Sequence, residues 1–320
     1  MKKILLLFGG NTNEHEVSYM SAKAIYENID KRKYTVDNCY LDKKNNFYSV
    51  ENIKNIKKIY RIENIVEYLK NYDLVFNIIH GKTGEDGTIQ GFLELLNIKY
   101  IGPDLESSII CFDKELTKII LDKENIPQVP YLCYKDKINF EEVKKLGYPV
   151  IVKPSRSGSS IGISVASNKK ELEKAHKLAL KTDNKIIIEK FLKARELECS
   201  ILDYKGLYAS SIGEITTTNT FYDYDTKYYS NKYKLMIPAN IPNEISEKIK
   251  EYAKKAFTAV NAKTLSRIDF FYDEENNKIY LNEINTIPGF TSISMYPKLL
   301  MHDKYTFKNL LNTIIKNSLY

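Results

Sequence analysis

The 320-residue sequence has no tryptophan, only four cysteines and four histidines, and no apolar run near the ~18–20 residues that a membrane span requires. Its longest apolar run, Ile4-Leu5-Leu6-Leu7-Phe8, has the length of a buried strand. A charged, glycine-containing segment follows at once, unlike a secretory leader, so a cytoplasmic protein is expected. No two of Cys39, Cys111, Cys133 and Cys199 stand at CxxC spacing, and each lies in an apolar segment. This excludes a disulfide framework and a zinc knuckle and leaves reduced thiols. His15-Glu16-Val17-Ser18-Tyr19 fails as a zinc-protease helix, because Tyr19 stands where the second histidine should be. The GxGxxG turn of classical dinucleotide binders is absent. Gly81-Lys82-Thr83 resembles the end of a P-loop, but the first glycine of that motif would fall at Phe76. A basic cluster is missing too. The net charge of +7 is spread, with 15 basic and 13 acidic residues in the first hundred and 33 and 28 in the rest. Neither a nucleic-acid nor a membrane partner is therefore expected.

What is present is a globular composition, 43% hydrophobic and 28% charged, long enough for two or three domains. Lys3–Phe8 predicts a buried strand running into Gly9-Gly10, followed by a helix with Ser18 as its N-cap and Ala22, Ile25 and Ile29 on one face. Leu74–Ile79 predicts a second buried strand ending in another glycine loop, then a helix through Phe92 and Leu96 and a short strand at Lys99–Ile101. Alternating strands and helices imply a doubly wound parallel sheet with ligands at the carboxyl ends of its strands, where both glycine loops fall. Gly102-Pro103 closes this unit. Helical pattern fills 105–125, and strands are expected near 131–134, 149–153, 162–165 and 185–189. From about Arg195 the texture becomes antiparallel, with strands at 196–203, 207–214, 263–273 and 278–285 and helices at 243–260 and 306–317. The expected units are 1–103 (α/β), 104–194 (α+β) and 195–320 (α+β), the last with a polar, Tyr-rich loop at 216–233.

Two constellations carry chemistry. Val150-Ile151-Val152-Lys153 ends a strand, and the small residues from Pro154 to Gly162 follow. Such a loop lets backbone N–H groups approach phosphate oxygens while Lys153 supplies charge, although a Gly/Ser loop alone is more often an ordinary turn. The hairpin Arg267-Ile268-Asp269 to Asn282-Glu283-Ile284-Asn285 sets Glu283 and Asn285 on one face, with Asp269 within a diagonal step. Three oxygen donors, two of them anionic, suit Mg²⁺ held together with nucleotide phosphates. The alternative is a solvent-exposed polar face, which the interleaved apolar residues Ile268, Phe270, Leu281 and Ile284 weaken.

Five motifs in order resemble the D-alanine–D-alanine ligases of the ATP-grasp superfamily. They are Gly9-Gly10 with Glu14-His15-Glu16-Val17-Ser18; His80-Gly81 with Gly84-Glu85-Asp86-Gly87 and Gln90-Gly91; Arg156 to Gly162; Phe221-Tyr222-Asp223-Tyr224 with Lys227-Tyr228; and Asn282 through Pro297. The resemblance spans the chain and implies a two-domain ATP-grasp fold after an N-terminal substrate domain. It implies a ligase that joins two D-alanines through a D-alanyl phosphate, for peptidoglycan, with ATP as co-substrate and two Mg²⁺ (or Mn²⁺) ions, acting as a homodimer. A ligase of the same fold joining D-alanine to D-serine or D-lactate is the alternative, and Lys227-Tyr228 and Met295 look like the dipeptide-forming type. By the same resemblance Lys114 and Lys153 contact the ATP phosphates, and Ser160 and Lys227 also bind the nucleotide. Glu189, Lys190 and Leu192 belong to the segment that receives adenine, and Glu196 holds the ribose. Asp269, Glu283 and Asn285 hold the metals. Glu14 pairs with the first D-alanine ammonium in a network with Ser159 and Tyr228. Arg267 and the Gly289 N–H face the oxyanion, and Ser294 holds the second carboxylate. His80 either orients substrate or caps its loop. The 216–233 loop is the expected lid that keeps water from the acyl phosphate.

Overall fold

The computed structural model describes residues 1–54, 56, 59–217 and 233–319. Three sheets organise it. The first has the order β4-β3-β2-β1-β5, built from β1 (Lys2–Gly9), β2 (Tyr34–Leu41), β3 (Phe47–Val50), β4 (Ile59–Arg61) and β5 (Leu74–Asn77). β1 runs parallel to both β2 and β5, while β2-β3 and β3-β4 are antiparallel. The apolar pattern does not announce these last strands, because Asp37-Asn38 interrupts β2 and β4 is exposed throughout. The expected strand at Lys99–Ile101 is a single parallel bridge from Tyr100 to Val75.

The run in β1 is continuously apolar because both faces of the strand are buried. Ile4, Leu6 and Phe8 meet Ala22 and Ile25 of α1 (His15–Asn28), together with α9 (Met295–Asp303) and α10 (Phe307–Leu319) from the far end of the chain. Leu5 and Leu7 point the other way, toward Leu69 of α2 (Ile65–Leu69) and Ile89 and Leu93 of α3 (Thr88–Leu95). α1 starts before Ser18, which is not its N-cap; the Ser18 N–H already donates to the Glu14 carbonyl within the first turn. The buried Ser18 hydroxyl instead accepts from Gly9 N–H (2.9 Å) and donates to the Ile78 carbonyl (2.7 Å), tying the ends of β1 and β5 together.

The helical stretch 105–125 is two helices, α4 (Leu105–Phe112) and α5 (Lys114–Lys123), broken at the extended Asp113. The Asp113 carboxylate accepts from Glu115 N–H and Leu116 N–H at the start of α5. The second sheet, β6-β9-β7-β8, comprises β6 (Tyr131–Tyr134), β7 (Val150–Pro154), β8 (Ser164–Ala166) and β9 (Ile186–Lys190), covered by α6 (Phe140–Leu146) and α7 (Lys169–Ala179). The third is antiparallel, β13-β12-β10-β14-β15 with β11 also on β10. Its strands are β10 (Arg195–Asp203), β11 (Leu207–Ala209), β12 (Gly213–Thr217), β13 (Tyr233–Met236), β14 (Leu265–Asp273) and β15 (Lys278–Asn285), and α8 (Asn243–Ala259) packs on it. Among the described residues no helix is long and apolar enough to cross a membrane.

Candidate active site

A cleft partly open to solvent lies where the glycine loops, the N-terminus of α5, the loop after β7 and the end of β15 converge. Its floor on the third sheet is set by register. Glu198 of β10 stands opposite Asp269 of β14, which stands opposite Glu283 of β15, so three carboxylates form one row across adjacent strands. The next row holds Ser200, Arg267 and Asn285. Strict alternation along β15 would put Leu281 on the same face as Glu283. A bulge between Asp269/Phe270 pairings reverses the phase, so Leu281 and Ile284 both stay in the core while Glu283 and Asn285 line the cleft. Asp269 and Glu283 therefore face each other directly, closer than the diagonal expected from spacing.

Arg267, only 6% exposed, organises the carboxylates. Its Nε and Nη2 donate to the two Asp269 oxygens (2.8 and 2.7 Å), and Nε lies 2.9 Å from Glu198 Oε2. Asn285 Nδ2 adds a third donor to Asp269 (3.0 Å). Burial opposes the guanidinium charge, but Asp269 and Glu198 outweigh it and hold Arg267 protonated. Among the described residues no three His, Cys, Asp or Glu side chains gather as a ready-made metal centre. Asp269 and Glu283 with the Asn285 amide form instead an all-oxygen donor set, incomplete by itself. That suits Mg²⁺, which takes one or two carboxylates and completes its shell with water and substrate phosphate.

The opposite wall is cationic. Lys114 opens α5, its N–H donates to the Ser155 carbonyl (3.1 Å), and its Nζ donates to the Ser157 carbonyl (2.6 Å). Burial lowers the Lys114 pKa, Glu283 across the cleft counters this, and Lys153 adds to it. Asp113 anchors this corner, accepting from Ser155 Oγ (2.8 Å) and pairing with Lys185 (2.7 Å). Beneath it, Glu189 is 3% exposed and lies 2.7 Å from Lys118 Nζ and 2.5 Å from Lys153 Nζ. Burial would raise the Glu189 carboxyl, but the two ammonium groups prevail and hold it at about 2. The Glu189 side chain thus turns to the lysines, while Lys190 and Leu192 follow where β9 leaves the sheet and Glu196 begins β10. In the loop, Ser159 and Ser160 both adopt left-handed backbone (φ 53° and 58°), as does Gly162. Successive residues of this kind cost free energy and turn N–H groups toward one side. The Ser159 hydroxyl is shielded and has no hydrogen-bond partner among the described residues.

The N-terminal loops close the third side. A Cβ on Gly81 would stand 3.0 Å from Glu14 Oε2, and one on Gly158 3.3 Å, so this carboxylate sits between the two glycine loops. His80 is buried and donates from Nδ1 to the Ile287 carbonyl (2.9 Å), which leaves Nε2 to accept from Ser21 Oγ (3.3 Å). Ser21 Oγ in turn accepts from Phe290 N–H (3.1 Å). His80 thus joins the N-terminal sheet to the loop bearing Gly289. Burial raises the neighbouring Glu85 carboxyl, His80 opposes this, and Glu14 adds to it. Ser294 occupies the N-cap position of α9 without capping it; its hydroxyl meets Thr291 N–H (3.0 Å) and Thr291 Oγ1 (2.8 Å). Any Cβ on Gly289 would lie 2.6 Å from that hydroxyl. Met295 is buried with Ile215 and Leu299, supporting β12 and not lining the cleft.

The structure brings Glu14, Lys114, Ser159, Arg267, Glu283, Asn285 and Gly289 to one cleft. Lys227, Tyr228 and most of the Tyr-rich loop lie outside the described residues. Sequence reasoning missed Lys118, Glu198 and Ser21. Lys118 had a signal, because it stands one helical turn beyond Lys114; Glu198 had one in the alternation Glu196, Glu198, Ser200. Ser21 had none. The thiols are not part of this chemistry: burial pushes Cys39 and Cys199 up to about 12.

Known proteins resemble this chain along nearly its whole length. The family descriptions D-ala D-ala ligase N-terminus and D-ala D-ala ligase C-terminus match residues 3–103 and 120–316. A D-alanine--D-alanine ligase of Clostridium acetobutylicum is 42% identical over 333 residues, covering 98% of this chain and 97% of the relative. Among solved structures, the VanG D-Ala:D-Ser ligase from Enterococcus faecalis matches with a TM-score of 0.88 and 33% identity over 99% of both chains. The Bacillus anthracis D-alanine--D-alanine ligase complexed with ATP matches with a TM-score of 0.82 and 28% identity, over 100% of this chain and 98% of that one. The fold is ATP-grasp, and the chain belongs to the D-alanine–D-alanine ligase family.

Proposed function

We propose that this enzyme joins two D-alanines at the expense of ATP, through a D-alanyl phosphate, to supply the dipeptide for peptidoglycan. The observation that carries the reading is one cleft with Lys114 and Lys118 on a cationic wall, Lys153 beside them across Glu189, and Glu283 on the opposite wall facing Asp269. In this reading Lys114, Lys153 and the backbone of Ser159 and Ser160 hold the ATP phosphates. Adenine lies against the backbone from Lys190 to Leu192, and Glu196 takes the ribose hydroxyls. Mg²⁺ held by Asp269, Glu283 and Asn285 would neutralise phosphate charge as the γ-phosphoryl group is transferred. Glu14 receives the ammonium of the first D-alanine and so aims its carboxylate at the γ-phosphate. The amine of the second D-alanine then attacks the acyl phosphate. Arg267 and the Gly289 N–H face the oxyanion that forms, and phosphate leaves. Ser294 holds the carboxylate of the second amino acid.

A D-serine-using variant of this chemistry is the second reading, favoured by the D-Ala:D-Ser ligase among the structural relatives. The test is product analysis after incubation with ATP, Mg²⁺ and an equimolar mixture of D-alanine, D-serine and D-lactate. D-alanyl-D-alanine as the main product is expected. A mixed product in excess would support the alternative, and ADP formation independent of D-alanine would defeat both.

A further inference from the structure

Lys118 lines the cleft but has no place among the ligands above, and at 3% exposure it is one of the most buried cations among the described residues. It lies on α5 one turn after Lys114, its Nζ 2.7 Å from Glu189 Oε1 and 4.8 Å from the Tyr131 ring centre. The other Glu189 oxygen faces Lys153. A buried carboxylate shared by two ammonium groups is unusual, because one cation would suffice to neutralise it. The arrangement leaves one net positive charge at this corner.

We propose that Lys118 is a positioning residue that acts by charge. By taking up the Glu189 carboxylate, it leaves the charge of Lys153 available to the polyphosphate of the nucleotide. Without it, Glu189 and Lys153 form a closed neutral pair, and the field that Lys153 presents to phosphate is cancelled at its source. This rests on the assignment of Lys153 to the ATP phosphates, and the controls separate the two.

The test measures ATP and adenosine affinities of the full chain by equilibrium dialysis at fixed Mg²⁺ and low salt. The variants are Lys118→Met, Lys153→Met and the double variant Lys118→Met with Glu189→Gln. Lys118→Met is expected to lower ATP affinity about tenfold, the order by which one desolvated charge pair changes affinity, and to leave adenosine binding unchanged. The double variant restores the single net charge with neutral groups of similar size. Its ATP-to-adenosine affinity ratio should return to within about threefold of the wild type, as expected when one buried ion pair, Lys118 with Glu189, is replaced by neutral groups of similar size. A ratio that falls for Lys153→Met but not for Lys118→Met overturns the role of Lys118 alone. An unchanged ratio for Lys153→Met overturns the phosphate assignment itself. Should Lys118→Met fail to fold, the double variant still decides, since it buries no unpaired carboxylate. A low ratio in that variant would overturn the proposal, because Lys118 would then act by touching phosphate from the cleft wall or by orienting Lys153, and not by tuning its charge.

Discussion

Two walls of one cleft are built as electrostatic opposites. In the central sheet two lysines share one buried carboxylate, Glu189. In the C-terminal sheet one buried arginine, Arg267, serves a row of three carboxylates, Glu198, Asp269 and Glu283, touching the first two. An ion pair assembled only for stability would tend toward balance, because an uncompensated buried charge is costly. Among the groups named, cations outnumber anions in the first set and anions outnumber cations in the second. Lys114 and Glu283 feel one another across the gap. The two sets suit a polyphosphate and a divalent cation respectively.

The strongest way to break this comparison is to neutralise the anionic wall where it faces the cationic one. Glu283→Gln keeps shape and removes a charge, and turnover should fall by about 10²-fold or more, the order of a single electrostatic contribution to catalysis. The thermal midpoint should hold or rise, since repulsion within the row is relieved. Near-wild-type turnover at ordinary Mg²⁺ would remove Glu283 from the metal site. Glu14→Gln tests the third side of the cleft. It should weaken use of the first D-alanine by about 2–3 kcal/mol, the cost of losing one charge of a desolvated pair, while ATP affinity stays unchanged. Loss of ATP binding with normal D-alanine use would reverse the roles assigned to the two sides.

The two walls also differ in how far they could be read in advance. The strand that ends at Lys153 and the hairpin of Asp269 and Glu283 were legible because apolar residues surround or alternate with the polar ones. The three sheets were legible in outline for the same reason. The phase reversal at the bulge was not, since nothing local distinguishes Asn282 as the extra residue; Leu281 and Ile284 fall out of phase only if both are known to be buried. The role of the Glu189 side chain was hidden for another reason. Its partners lie 71 and 36 positions away, on α5 and β7, and only the packing of those elements brings them together. β2 escaped because polar residues interrupt its pattern, and β4 because it is exposed throughout.

A subtler change sharpens the comparison within the anionic wall. Glu198 touches Arg267 and is assigned no ligand of its own, so Glu198→Gln tests how far it supports the arginine. Turnover should fall about tenfold, in line with losing the charge from a hydrogen bond to an ionised partner. ATP affinity should be unaffected. A loss as large as that of Glu283→Gln would mean that the three carboxylates act as one unit, not as a ligand pair with a supporting neighbour.

The smallest effect is expected where the walls are joined to the N-terminal sheet. Ser21 is fully buried, accepts from Phe290 N–H and donates to His80 Nε2, while His80 holds the Ile287 carbonyl. Residues 287 and 290 are thereby fixed on either side of Gly289, whose N–H is assigned to the oxyanion. Ser21→Ala removes one hydroxyl and leaves a buried N–H and an imidazole nitrogen short of a partner. Stability should fall by about 1–2 kcal/mol. If the clamp only stabilises the fold, turnover at temperatures well below unfolding should match the wild type. If it also aims the Gly289 N–H, turnover should drop about threefold to fivefold with ATP affinity unchanged, because misdirecting one donor weakens transition-state binding without touching the nucleotide. Ser21→Thr, which restores a hydroxyl, should recover part of the turnover. Equal turnover in all three proteins would show that the loop holds its shape without help from the N-terminal sheet.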